Sequence, residues 1–394
     1  MRRSIRVLLC AVASFLIVAV AATVGAPAWS VFTRITANPG DGWNVGSFYT
    51  GQLWSWGLNT NGQLGQGNTT SPVSSPVHAD TNTWISVGLG DTSSCAVRAD
   101  NTLWCWGDNS SGQLGLGNTT SNTTPTQVAG TIWQTVSVGG SSACATRTDN
   151  TLWCWGANAS GQLGQGMTST QINSPVQVSG TIWRRSATGH NYSCATRTDG
   201  TLWCWGNNGD GQLGQGSTTA SSTPVQVAGT TWLYPFAGDT HLCVVRTDAT
   251  LYCWGNNNAG EVGNATTTDV LSPVQITGSW RAAGGGSTHT CATRTDNTLW
   301  CWGDAFNGKL GQGDSVDHTT PVQVAGTIWR MVGVGHNHAC ATRSDQTLWC
   351  WGKNASGQLG VGNTSNQNTP TQVAGSSWSA VYGATAGDQT VGLA

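Results

Sequence analysis

The residues able to do acid–base or metal chemistry are few and fall in register. His241, His289 and His338 each stand two positions before a cysteine, and His190 and His336 stand four before one. Equivalent positions in successive units could ring a channel and hold a metal, or set imidazoles beside Asp239 as an acid–base pair. No carboxylate accompanies them at a metal-ligand spacing, so hydrogen bonding to a neighbouring strand is the preferred reading and no metal is expected. Glu261 is the only glutamate, and Lys309 and Lys353 are the only lysines. Glutamate acid–base pairs, the HExxH zinc motif and lysine nucleophiles therefore lack material. Asp100, Asp149, Asp199, Asp248, Asp296 and Asp345 recur in one turn and read as turn formers before catalysts. Gly303 to Lys309 spells GDAFNGK, but Leu310 replaces the Ser or Thr of a phosphate loop, and its sister segments read GDNSSGQL and GNNGDGQL. It is a structural turn in which Lys309 replaces Gln. Gly209, Gly211 and Gly214 fit GxGxxG without the strand–helix unit that motif needs. No cofactor is expected.

Cysteine carries the other chemistry. Apart from Cys10, the cysteines form six pairs at a separation of ten: Cys95 and Cys105, Cys144 and Cys154, Cys194 and Cys204, Cys243 and Cys253, Cys291 and Cys301, Cys340 and Cys350. Between the members of a pair lies a turn such as Thr148-Asp149-Asn150, whose last residue suits left-handed backbone. A three-residue loop there pairs Arg147 with Thr151, Ala145 with Trp153 and Cys144 with Cys154, so the sulfurs meet across a hairpin. Ala249 and Gln346 depart from that turn preference. Zinc and reduced packing cysteines compete with this reading, but one isolated pair per hairpin makes a poor tetrahedral cage. Disulfides are expected.

The elements that position these residues repeat. Leu-Trp-x-Trp-Gly begins at Leu53, Leu103, Leu152, Leu202, Leu299 and Leu348, and Leu251 starts a copy with Tyr252 in place of the first Trp, at spacings of 50, 49, 50, 49, 48 and 49. Each unit adds a GQLGxG turn, a Pro-x-Gln-Val-like strand, a lone Trp and a CATRTD-like strand and turn. Four short strands per unit, with no helical periodicity, predict an all-β, seven-bladed β-propeller of four-stranded blades. An open solenoid is the alternative. The chain ends favour a ring, since Leu53 to Trp56 is a third strand and Gln389 to Ala394 aligns with a second strand, so the N- and C-terminal strands share the closing blade. Ser55 and Val391 then occupy its two cysteine positions. Within a unit Trp153 and Trp155 share one strand face, as do Leu152 and Cys154 on the other, and the Trp ladder reads as packing between blades rather than a carbohydrate platform.

The string LWCWGDNSSGQLGLG, a Pro-x-Gln-Val strand and a CATR strand together resemble the regulator of chromosome condensation repeat family, seven times over from about Gly51 to Ala394. The resemblance implies a seven-bladed propeller. In the family's nuclear founder it implies nucleotide exchange on a small GTPase and nucleosome binding; secreted bacterial relatives include propeller inhibitors of β-lactamases, and this chain looks like the secreted type. It has no basic tail, and repeats of this length leave no room for an inserted exchange wedge, so an exchange-factor role ranks last.

Composition and the amino terminus agree with export. Charged residues make up 9% of the 394, the formal net charge is −2, and no basic field for nucleic acid exists. Arg2, Arg3 and Arg6 precede an apolar run from Val7 to Val24 and an Ala26-Pro27-Ala28 cleavage pattern. The expected organisation is a signal peptide over 1–28, a lead-in over 29–50 and the propeller over 51–394; a retained membrane anchor is the alternative. An oxidising compartment suits the even mature cysteine count.

Strand alternation puts the loop before each CATR strand and the GQLG loop at one end, and the Asp-Asn turns and Ala-Gly-Thr links at the other. The second end is nearly invariant between units. The first varies, carrying His190, Asn191 and Tyr192, then Tyr234, Phe236, Asp239 and His241, then His336, Asn337 and His338. Loops that differ on one face predict a recognition surface with Tyr and Phe as anchors. The expectation is a secreted, monomeric, non-enzymatic scaffold that binds a protein partner, an inhibitor of an extracellular or envelope protein being one form, with no nucleic acid and no membrane contact after signal cleavage. The rival is a hydrolase or lyase using Asp239, His241 and His190 at the channel mouth.

Overall fold

A computed structural model describes residues 49–180, 182–375 and 377–394. The expected signal peptide and most of the lead-in lie outside these residues. Every described repeat folds as four antiparallel strands, as in the second blade: Trp133–Val138, Ser142–Arg147, Leu152–Asn158 and Ser169–Gln177. The first strand of each blade touches the first strands of both neighbours, all the way round, so these seven strands line the axis and the fourth strands form the rim. The only helical element among the described residues is a single 3-10 turn, Phe306–Gly308.

Two chain segments complete each other in the seventh blade. Ala380–Gly383 and Gln389–Leu393 are its inner strands, and Gly51–Gly57 is its third. Leu53 pairs with Leu393 and Ser55 with Val391, the register expected from the cysteine positions. The strand Val73–Leu89 then runs on without a break, from His78 opposite Trp54 to Trp84 opposite Arg98, and serves two blades. It leaves no free edge at the splice.

One latch holds neighbouring blades together. The second Trp of each LWCWG strand is fully buried and donates its indole N–H to a carbonyl in the GQLG turn of the preceding blade, as Trp155 does to Gln113 at 2.9 Å. The same bond runs from Trp106 to Gln63, from Trp205 to Gln162, from Trp302 to Glu261 and, closing the ring, from Trp56 to Gln358 at 2.9 Å. The turn must be bare beneath the ring: a Cβ on Gly115, at φ +69°, would lie 2.8 Å from Trp155 Nε1. The Trp ladder is thus packing between blades, each ring also meeting the lone Trp of its blade in a tilted or edge-on contact, as Trp133 and Trp155 do at 6.1 Å.

All six cysteine pairs are disulfides, each joining directly opposite residues of the second and third strands, with Cα atoms 4.0 to 4.1 Å apart. The turn between them has the expected form: Arg147 N–H donates to the Thr151 carbonyl and Asn150 N–H to the Arg147 carbonyl. Ala249 and Gln346 take the same left-handed backbone as Asn150, at φ 63° and 65°. Flanking strand pairing overrides their local preference.

Candidate functional site

The mouth of the channel is the end at which each innermost strand turns into the disulfide-bearing strand. In the first six blades a glycine opens the loop and closes it tightly, its N–H bonded to the residue two before the cysteine, as Gly238 to the His241 carbonyl at 2.8 Å; Ala384 takes that place in the seventh, bonding Gln389 at 3.2 Å. Adjacent loops are stitched together by backbone bonds: His190 N–H to the Asp239 carbonyl at 3.1 Å, Asp239 N–H to Gly286 at 3.1 Å, and Ser287 N–H to His336 at 3.1 Å. No side chain fits where they touch. A Cβ on Gly139 would stand 2.0 Å from the Gly189 carbonyl oxygen. The mouth is accordingly a preorganised rim, with Asp91, His190, Asp239, Ser287 and His336 at equivalent places, four residues before the cysteine.

Two of these carboxyls are pushed toward their neutral forms. Burial raises Asp239 to about 7, with the charge of Asp91 adding to the effect, and burial also raises Asp91. His336 Nε2 lies 3.6 Å from Asp239 Oδ2, and burial lowers its affinity for a proton. At that distance, and with both shifts opposing charge, the pair is a contact of largely uncharged groups rather than a strong ion pair. His336 Nδ1 faces the Asn337 side-chain amide at 3.1 Å.

The ten expected contact residues divide by register. His190 is exposed, and Asn191, Asp239, His336 and Asn337 are partly exposed at the mouth. Tyr192, His241 and His338 are fully buried, which corrects their expected place on the surface. Each stands two residues before a cysteine, on the face of the strand that the cysteine also uses, so it points into the blade. The Tyr192 hydroxyl donates to the His241 carbonyl, and His241 Nε2 meets Thr290 Oγ1 at 2.9 Å in the next blade. His338 Nε2 meets Thr390 Oγ1 at 2.7 Å. Ala339 stands where His289 would need such a hydroxyl, and both His289 ring nitrogens lack a partner. Burial lowers the proton affinity of all three histidines, to about 4 for His241 and His338. Tyr234 is buried on an innermost strand with the Arg185 guanidinium 5.2 Å from its ring, and Phe236 is half-buried against the fifth blade. Neither is a loop anchor.

The same geometry takes apart the hydrolase arrangement. His241 is sealed inside the fourth blade, so Asp239, His241 and His190 do not form one accessible set. Asp239 meets His336 instead, and the nearby Ser287 hydroxyl donates to the His336 carbonyl at 2.7 Å rather than to a base. Among the described residues no group of three or more His, Cys, Asp or Glu is gathered as metal ligands. Lys309 is a turn residue: its ammonium is buried and bonds Asp304 at 2.6 Å, Thr288 at 2.7 Å and Asn337 at 3.2 Å. Asp91 and the Lys353–Asp388 pair at 2.8 Å also belong to this rim, and sequence reasoning passed over them. Asp91 shares the register of His190 and His336, so aligning the six cysteine-bearing loops on their cysteines would have found it.

A ring of seven such blades around a loop-lined mouth defines a seven-bladed β-propeller. The chain belongs to the regulator of chromosome condensation (RCC1) repeat family, whose model matches residues 50–97, 100–146, 149–196, 199–245, 248–293, 296–342 and 345–393. Similar solved structures include human WBSCR16, with 22% identity, a TM-score of 0.79 and coverage of 87% of this chain and 99% of that one. Prp20p of Saccharomyces cerevisiae, studied for its binding to Gsp1p and histones, shares 18% identity over 86% of this chain and 90% of its own, with a TM-score of 0.77. Yeast RCC1 (Prp20) bound to Kap60 shares 19% identity over 87% and 88%, with a TM-score of 0.76. At these identities the likeness is one of fold. No curated protein sequence matches the chain.

Proposed function

We propose that the protein is an exported, non-enzymatic scaffold that binds a protein partner through the mouth of its propeller. The observation that carries this reading is the contrast between the two ends: loops stitched into a fixed rim bear Asp91, His190, Asp239 and His336 at one equivalent position, while the other end repeats its turns almost unchanged. A preorganised polar rim loses little freedom on binding, which favours recognition. Export is supported by the six disulfides and by the Arg-led apolar segment ending at Ala28. Inhibition of an extracellular or envelope protein is one form this binding takes. The experiment is capture from the surface extract of the producing cell, comparing the native protein with His190→Ser/His336→Ser/Asn337→Ser. Capture by the native protein alone supports the reading, and equal capture by both removes it.

A further inference from the structure

In the first blade the carboxylate of Asp80 sits between two donors. Its Oδ1 accepts from the Trp84 indole N–H at 2.8 Å, and its Oδ2 lies 3.5 Å from Arg98 Nη2. The same two donors recur in the second, third, fourth and sixth blades without that acceptor. Nε1 of Trp133, Trp183, Trp232 and Trp329 is buried and has no hydrogen-bond partner, and the same holds for Trp378 in the seventh blade, where Ala394 stands in place of the arginine. The arginine stacked on each of the four rings, as Arg147 is on Trp133 at 4.4 Å, keeps its guanidinium beside the orphaned indole; its buried Nε is without a partner in all six blades, Arg98 and Arg294 included. One position explains the difference. Asp80 stands four residues before its Trp, where these blades have Ala129, Ser179, Ala228 and Ala325, side chains too short to reach the donors. In the fifth blade the link to Trp280 is one residue shorter, and its own backbone fills the place: the Trp280 indole N–H donates to the Ile276 carbonyl at 3.1 Å and the Arg294 guanidinium to the Thr277 carbonyl at 3.4 Å.

The links beside the orphaned donors are also the strained ones. Ile132, Ile182, Thr231 and Ile328, immediately before the Trp, have φ of 66°, 68°, 71° and 65°, a left-handed conformation that β-branched side chains resist. Thr83 and Ser279, at the same place in the two satisfied blades, are not in that region. Each strained link lies over the donors through a glycine; a Cβ on Gly130 would be 2.9 Å from Arg147 Nη2 and 3.7 Å from Trp133 Nε1. A shift of the link that returned the β-branched residue to extended backbone would both relieve it and uncover the donors.

We propose that these four Trp–Arg pairs, at the end opposite the mouth, are sockets for the carboxylates of an acidic peptide segment, with Asp80 marking in the first blade the position that each carboxylate takes. The marker is itself an aspartate carried on a stretch of extended chain, which is why an Asp- or Glu-bearing peptide is the ligand assigned. A guanidinium and an indole N–H together match one carboxylate, one donor to each oxygen. Repetition in neighbouring blades makes the sites multivalent toward one acidic stretch. This inference is independent of the reading given to the mouth.

The test is an indole N–H NMR titration of the intact, disulfide-bonded protein with a capped hexa-aspartate peptide. Signals of Trp133, Trp183, Trp232 and Trp329 are expected to shift, while those of Trp84 and Trp280 stay in place. Ala129→Asp supplies a carboxylate from within, so its Trp133 signal should start at the shifted position and cease to respond; Ala228→Asp should do the same for Trp232. Asp80→Ala should add Trp84 to the responding set. Placing Asp at all four positions should weaken peptide binding at least tenfold, and the single variants keep the test readable if that variant does not fold. Four unmoved signals, or an unchanged response of Trp133 in Ala129→Asp, would overturn the proposal. A response to oligogalacturonate without one to the peptide would overturn the assignment of an acidic peptide.

Discussion

Asp239 Oδ2 and His336 Nε2 lie 3.6 Å apart across the channel mouth, although the fifth blade separates the blades that carry them. The approach follows from the backbone chain linking His190, Asp239 and Gly286, and Ser287 and His336, which draws successive loops inward. Burial drives both groups toward their uncharged forms, and Asp239 Oδ1 is left without a partner. A buried acceptor held open on a rigid rim is unfavourable in the free protein and favourable toward a ligand that donates to it.

The disulfides can be counted directly. Intact mass of the exported protein should start near Trp29 and lie about 12 Da below the fully reduced value, two hydrogens being lost at each of the six bridges. On the chain-entropy model each short bridged loop contributes about 2–3 kcal/mol. Twelve alkylatable thiols in the native protein would refute the pairing.

Deleting residues 389–394 should destabilise the whole ring rather than fray one end. That segment is hydrogen-bonded to both Ala380–Gly383 and Gly51–Gly57, so its loss opens two strand edges and removes buried Val391 and Leu393 from the core. Removing those two side chains alone costs about 2–5 kcal/mol for each. The check is thermal melting followed by tryptophan fluorescence. An unchanged midpoint would mean that the two termini do not share a blade.

Acid should weaken the fold in a defined window. In the unfolded chain His241, His289 and His338 take up protons near 6.5, whereas in the fold burial holds the first and last at about 4 and His289 well below its ordinary range. The unfolded state therefore binds more protons below 6.5, and stability is lost as pH falls from about 6.5 toward 4. Asp239 acts the other way: raised to about 7 in the fold, it gains stability as pH falls through that value. Asp91 and Glu261, also raised by burial, act with Asp239, while His336, also lowered, acts with the three buried histidines. His338→Gln, which copies Gln389 at the same place in the seventh blade, should flatten the decline, and Asp239→Asn should steepen it. Melting temperatures that do not change between pH 7 and 4.5 would contradict this account.

The fold was legible because its signals repeat. The pairing of Cys144 with Cys154 follows from counting along strands around a short turn, that of Ser55 with Val391 from aligning the chain ends on the cysteine positions of the other units, and both registers hold. The site was legible only in part. His190 and His336, four before a cysteine, fall in loops, whereas Tyr192, His241 and His338, two before, are already strand residues on the cysteine's own face. Period-two alternation, applied to that strand as it was to the Trp strand, would have turned them inward. What no local rule supplies is the contact between Asp239 and His336, or the bond from Trp155 to Gln113. Those depend on how far neighbouring blades tilt toward one another, a property of the closed ring.

The measurement that bears most directly on the mouth as the binding face is capture of the native partner by paired variants. His190→Ser/His336→Ser/Asn337→Ser alters accessible rim side chains and leaves the buried Tyr192, His241 and His338 intact, so the fold should survive while capture falls at least tenfold. Asp149→Asn/Asp199→Asn/Asp296→Asn, at the opposite end, keeps the turn-forming side-chain oxygen and should capture as the native protein does. Capture lost with the opposite-end changes and kept with the rim changes would contradict the account.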